Sequence, residues 1–188
     1  MSEIESIRFK VISCTKCGLS KTRVNAVPGK GKSDAEIVFI GEAPGKNEDL
    51  KGEPFVGSAG RILSEALALA GLSREDIYIT NVVKCRPPNN RIPLQEEKEY
   101  CSQYLSEELE IINPKIICIL GNTAYSSLLG GNSITKNRGR IIEKDGKRYF
   151  ITIHPAAAIY NQELKSIFNA DIKSLVETLD KLKPDNNK

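Results

Sequence analysis

Four cysteines, Cys14, Cys17, Cys85 and Cys101, offer the thiolates of a complete ligand set for a structural zinc or an iron–sulfur cluster. Cys14 and Cys17 form a CxxC, and the other two lie far downstream. A compact zinc ribbon would pair two short knuckles instead. Whatever these thiols hold therefore ties the N-terminal arm to a loop and a helix in mid-chain. The fifth cysteine, Cys118, sits inside the apolar run KIICIL and reads as a core residue. Disulfides are the competing reading of the four, and an intracellular setting argues against them.

A second set of residues could act on a ligand. Gly41-Glu42-Ala43-Pro44-Gly45 opens a glycine- and proline-rich loop that runs to Gly57, where freed backbone amides can bind an anion or a carbonyl oxygen. Its carboxylates Glu42, Glu48, Asp49 and Glu53 read either as a solvated acidic loop or, for Glu42, as a group placed at a site. Phe55, flanked by glycines in that loop, suits either the core or a stacking platform for a planar ligand. Asn81 offers a donor and an acceptor side by side, which can read a base edge or cap a turn. His154, the single histidine, is followed by Pro155 and held with little backbone freedom. It reads as a structural residue or as a hydrogen-bond donor to a developing anion.

The elements that must position these groups follow from pattern. Glu36–Ile40 and Lys115–Leu120 are apolar runs that end at glycine, as buried strands do, and Ile77–Thr80 is another strand. Helices are expected at 3–12, from an N-cap at Ser58 to Gly71, at Gln95–Ile112, at Asn122–Leu129 and at 162–182. Arg86–Pro93 is a loop, and Asp145-Gly146 marks a hairpin between Arg140–Lys144 and Arg148–Ile153. Strands alternating with helices predict a three-layer α/β/α sandwich around a mostly parallel sheet. Ligands of such sheets bind beyond the carboxyl ends of the strands, where Gly41, Asn81 and His154 all fall.

At 188 residues with a net charge of +3, one domain over 1–183 is expected, with a frayed tail at 184–188. The charged start MSEIESIRFK is no secretory signal, and no stretch approaches the ~20 apolar residues of a membrane span, so a cytoplasmic protein of prokaryotic type is expected. Residues 136–148 are rich in lysine and arginine, which suits a phosphate backbone or a solvated hairpin face. Ala26–Ser33 is one residue short of a Walker A loop but precedes a strand instead of following one, so it reads as a flexible basic loop.

Taken together, GEAPGKNED, GEPFVGSAG, TNVVKCRPPNNR and HPAA, with cysteines at 14, 17, 85 and 101, resemble the family 4 uracil-DNA glycosylases, the thermostable iron–sulfur branch of their superfamily. The resemblance runs from the CxxC to about residue 160. It implies a four-iron, four-sulfur cluster in place of zinc. It implies that uracil is flipped from single- or double-stranded DNA and its N-glycosidic bond hydrolysed to leave an abasic site. By the same resemblance, Glu42 and Ala43 face the uracil carbonyl and the attacking water, Gly41 belongs to the substrate-binding set, and Phe55 stacks on the base. Asn81 reads its Watson–Crick edge, Glu48 closes the pocket around C5, and His154 donates to O2. The segment after Pro155 enters the DNA from the minor groove. Ala43 and Gly45 replace the aspartate and tyrosine of family 1 enzymes, so Glu42, Asn81 and Glu48 share those tasks. A monomer is expected, with replication or repair proteins as candidate partners. The alternatives are a glycosylase for another base, or an iron–sulfur nucleic-acid-binding module without activity. Glu42, Asn81 and His154 together argue against the latter.

Overall fold

The structure, a computed structural model, describes residues 2–183. Met1 and the tail expected at 184–188 lie outside the described residues. In chain order the elements are α1 (Glu3–Ile12), β1 (Lys30–Gly31), β2 (Ile37–Gly41), α2 (Lys46–Lys51), α3 (Ser58–Leu69), β3 (Tyr78–Asn81), α4 (Gln95–Ile112), β4 (Ile116–Leu120), α5 (Asn122–Leu129), β5 (Ile141–Lys144), β6 (Lys147–Thr152) and α6 (Gln162–Lys181). Every residue of β2, β3 and β4 is buried, as strands covered on both faces require.

The sheet has the order β1-β3-β2-β4-β6-β5. Its four central strands run parallel, and β1 and β5 are antiparallel edges. Because β2 leads to β3 on one side and β3 crosses back to β4 on the other, right-handed connections put α3 on one face and α4 and α5 on the opposite face. α6 packs beside α3, and α1 beside α4. This is the expected three-layer α/β/α sandwich, with Phe39, Leu63, Leu67, Phe150 and Phe168 fully enclosed in its core. No helix among the described residues is long and apolar enough to cross a membrane.

Three local expectations change. Lys30–Gly31, read as a flexible loop, pairs with Tyr78 and Ile79 as a short edge strand. The loop after Gly41 contains a helix, α2, that stops at Gly52 with φ of 69°. The N-cap of α3 is Gly57, not Ser58, and it offers no side-chain acceptor. The basic stretch is also less free than its charge suggests. Arg138 donates to Asp171 at 2.6 Å, Arg148 to Glu143 and Lys144 to the Leu128 carbonyl, while Lys136 and Arg140 stay exposed.

A buried ionic network anchors β3. Glu108 on α4 accepts from the Gly29 amide and the Tyr78 hydroxyl through Oε1, and from Thr80 and Lys84 through Oε2. Lys84 and Glu108 lie 2.6 Å apart with side chains 1% exposed. A pair this deep costs much of its attraction in desolvation, but removing one partner strands a charge. Glu108→Leu is therefore expected to destabilise the protein by ~3–5 kcal/mol, and Lys84→Met combined with Glu108→Leu to recover only the part due to the stranded ammonium, since the Gly29 amide and the Tyr78 and Thr80 hydroxyls stay unmet. Urea denaturation of the three proteins checks this, and a single variant within ~1 kcal/mol of the parent would contradict it.

Candidate active site

The parallel strands deliver their carboxyl ends to one edge of the molecule, at the point where the chain reverses its direction of travel across the sheet. A cavity of about 350 Å³ opens there. Glu42, Ala43, Glu48, Phe55, Asn81 and His154 all line it. Gly41 does not itself line it but stands beside it, opposite Asn81 in the register of β2 and β3. A methyl group on Gly41 would come within 2.5 Å of Asn81 Oδ1 and 2.6 Å of the Phe55 ring, so only glycine leaves room for both.

Asn81 is buried, and its Oδ1 has no hydrogen-bond partner among the described residues. A buried carbonyl oxygen without a donor is costly, and here it stands ready for a donor from a ligand. Phe55 lies 5.8 Å from the His154 ring, the two rings tilted by 30°.

His154 follows β6. The end of that strand is tied down by the Thr152 hydroxyl, which donates to Asp171 of α6 at 2.8 Å. The Ala156 amide donates to His154 Nδ1 at 3.2 Å. An Nδ1 that accepts cannot carry a proton, so the neutral ring holds its proton on Nε2. Burial pushes the His154 pKa down to about 4 against a smaller upward pull from Glu48. At neutral pH the site thus presents an uncharged imidazole with one N–H donor.

Glu48 is committed more firmly than its sequence suggests. Its Oε1 accepts from the amides of Val56 at 2.9 Å and Gly57 at 2.7 Å. Arg74, outside every expected motif, grips the same turn from the other side, donating to Phe55 O at 2.8 Å and Pro54 O at 2.9 Å. Burial lowers the pKa of this guanidinium, and Glu53 and Glu48 oppose the shift. Gly60 lets the turn sit on α3, since a Cβ there would overlap the Phe55 carbonyl. Pro87, Asn90, Arg91 and Ala156 are among the other residues of the cavity wall. Arg91 is held by Glu97 through two hydrogen bonds of 2.9 and 2.6 Å. An arginine in a polar loop carries no periodic signal, which is why Arg74 escaped the sequence.

The second group of residues gathers where α1 meets α4: Cys14, Cys17 and Cys85 pack with Ile7, Val11 and Tyr104, and Cys101 is carried on α4 itself. Cys85 lies close enough to Cys14 and Cys17, and Cys101 to Cys85 and Cys17, for each to feel the others' charge. All are free thiols. Burial raises the Cys85 thiol and raises Cys101 to about 11. Arg23 pulls Cys85 back, and the Lys84 amide and ammonium do the same for Cys101. Among the described residues, no three Cys, His, Asp or Glu side chains close around a point as a single metal ion would require. An all-sulfur donor set flanked by hydrogen-bond donors fits a thiolate-bound group nonetheless.

With this geometry in view, comparison with known proteins is informative. The sequence profile of the uracil DNA glycosylase superfamily matches residues 28–183. A type-4 uracil-DNA glycosylase of Archaeoglobus fulgidus is 47% identical over 193 residues, covering 98% of this chain and 97% of that protein. One from Sulfurisphaera tokodaii is 50% identical over 187 residues, covering 94% of this chain and 85% of that one. A solution NMR structure of a candidate uracil DNA glycosylase from Methanosarcina acetivorans aligns with a TM-score of 0.51 over 81% of this chain and 97% of that chain, at 17% identity, a likeness of fold alone. The profile match and the near full-length identities agree with the fold: the chain belongs to the uracil-DNA glycosylase superfamily, in its type-4 branch.

Proposed function

We propose that this protein removes uracil from DNA by hydrolysing the N-glycosidic bond, leaving an abasic site. The observation that carries the reading is the pairing of a partnerless Asn81 Oδ1 with an Nε2–H donor on His154 in one cavity walled by Phe55. Uracil offers an N3–H to the first and its O2 to the second. The base lies inside a stack and must be extruded to reach the cavity, unless the strand is already single. Phe55 stacks on it, and Asn81 accepts from N3–H and donates to O4. In this reading Tyr160, wholly exposed just beyond the Pro155–Ala158 turn, fills the gap left in the DNA.

Cleavage leaves negative charge on uracil and positive character on the sugar. His154 meets the first with a neutral N–H donor, which strengthens its bond to O2 as charge develops there. An imidazolium would be stabilised by the same charge only at the cost of protonating a buried ring. Glu42 places its carboxylate beside the sugar and positions water. Glu48 acts mainly by holding the Phe55 turn, so with Ala43 in place of an aspartate the handling of water falls to Glu42 and Asn81.

Cys14, Cys17, Cys85 and Cys101 hold a four-iron, four-sulfur cluster in this proposal. The all-thiol donor set and the cationic donors beside it support this. When bound, the cluster supplies no step of the hydrolysis; it fastens the N-terminal arm to the loop and helix that flank the site.

The direct test is incubation with an oligonucleotide that carries uracil at one position, followed by alkaline cleavage of abasic sites. Strand scission is expected with uracil and not with thymine; no scission with uracil overturns the reading. Asn81→Asp replaces the amide donor by a second acceptor, which repels O4 of uracil and suits the amino group of cytosine. The ratio of single-turnover rates on uracil and cytosine is expected to fall at least ~10²-fold. An unchanged ratio would show that Asn81 does not read the base.

His154→Ala is expected to slow excision ~10²–10³-fold, the usual loss of one donor to a developing anion, with much less effect on abasic-site binding. Because this is the only histidine, its ring signals can be followed alone by NMR. They are expected to report the Nε2–H form and a midpoint near pH 4. The sign for stability follows: the unfolded ring takes up a proton near pH 6.5 that the folded ring refuses, so this group destabilises the fold as pH drops from ~6.5 towards 4. A midpoint at or above 6.5 would contradict the neutral-donor role.

A further inference from the structure

Arg23 connects the groups that the cluster site must bring together. Its Nη1 donates to Cys85 Sγ at 2.9 Å. Its Nη2 donates to the carbonyls of Ile12 at 3.0 Å and Cys14 at 2.9 Å. Ile12 ends α1, where carbonyls lack partners within the helix and the dipole is negative, so the guanidinium also caps that helix. One planar group thus joins a helix end, the first cysteine of the CxxC and a cysteine 62 positions away. The chain then continues directly into Val24 and Asn25, whose amides donate to Asp49 Oδ1 at 2.9 and 3.2 Å. Asp49 neighbours Glu48 on α2, the residue that fixes the Phe55 turn.

The charge at Arg23 differs in kind from that at Lys84. The Lys84 ammonium is matched by Glu108 at 2.6 Å. The hydrogen bonds of Arg23 go to a sulfur and two carbonyls, so its positive charge is turned towards the thiolates.

We infer that Arg23 is the positioning residue of the cluster site: it assembles the cysteines from two distant segments and, by donating to the Cys85 sulfur, sets the cluster's stability and reduction potential. The inference rests on the cluster reading above. A hydrogen bond and a positive charge at a ligand sulfur favour the reduced, more negative cluster and so raise its potential. Lysine keeps the charge but lacks the planar fork that serves three acceptors at once.

The test uses the full-length protein, purified without oxygen, as wild type, Arg23→Lys and Arg23→Gln. Iron and sulfide per chain, the rate of bleaching in air and the reduction potential by spectroelectrochemistry are measured on each. Wild type is expected to hold about four irons per chain. Arg23→Gln is expected to bleach ~10-fold faster or more, the scale of lost outer-shell partners, and to have a more negative potential. Arg23→Lys should fall between. Wild type without iron would overturn the cluster reading and this inference with it. Wild type with iron, and Arg23→Gln matching it in bleaching and potential, would overturn the role of Arg23 alone. Should Arg23→Gln prove insoluble, Arg23→Lys identical to wild type in both readouts overturns it equally.

Discussion

Phe55 has a φ of 53°, in the left-handed region that aromatic L-residues avoid, at a cost of ~1–3 kcal/mol. The turn keeps this conformation because its surroundings leave no other. Glu48 binds the two amides that follow Phe55, Arg74 binds the carbonyls of Pro54 and Phe55, and Gly60 lets the turn press against α3. Relaxing φ to the usual negative range would break several of these bonds together. The constraint aims the Phe55 ring over Gly41 and towards His154, and so gives the cavity its wall. Once that wall is fixed, Asn81 and His154 need little freedom of their own, because Asn81 ends a fully buried strand and His154 follows the buried carboxyl end of β6.

The same constraint links the two halves of the molecule. Glu48 and Asp49 lie side by side on α2 and face different tasks. Glu48 holds the platform, and Asp49 holds Val24 and Asn25, which follow directly from Arg23. A short run of hydrogen bonds therefore leads from Cys14 and Cys85, through Arg23 and the residues after it, to the Phe55 turn. On the other side, Lys84 precedes Cys85 and is locked to Glu108 and Thr80, next to Asn81. On the proposed reading, a cluster held by these cysteines takes no part in hydrolysis and instead stiffens the segments from which the pocket is hung.

Much of this was legible in the sequence, and for identifiable reasons. Runs such as EIVFI and KIICIL ending in glycine mark buried parallel strands whose ends gather the site. Asp145 and Gly146, with φ of 51° and 73°, form the two-residue turn that their identities announce. What stayed hidden depends on contacts between distant segments. α2 is six residues long, lacks an apolar stripe and is held by tertiary bonds to Glu48 and Asp49, so no periodicity betrays it. β1 has two residues and exists only through its pairing with β3. Arg74, Arg23 and Glu108 look like ordinary surface charges until folding brings them to carbonyls, a sulfur and a buried lysine. Ser58 has the right chemistry for an N-cap, but the cap falls one residue earlier, at Gly57, whose own amide is bound by Glu48 from another helix.

The central claim is that Glu48 works through the conformation of the Phe55 turn and not through its charge. Single-turnover excision of uracil by Glu48→Gln and Glu48→Ala, alongside their melting temperatures, tests this most directly. Glutamine keeps a carbonyl acceptor for the Val56 and Gly57 amides, whereas alanine leaves both unmet. Glu48→Gln should retain excision within ~10-fold of the parent while Glu48→Ala loses ~10²-fold or more, the scale of a misplaced reacting group. Equal and large losses in both variants would contradict the account, for they would make the carboxylate charge, and not the held turn, the source of activity.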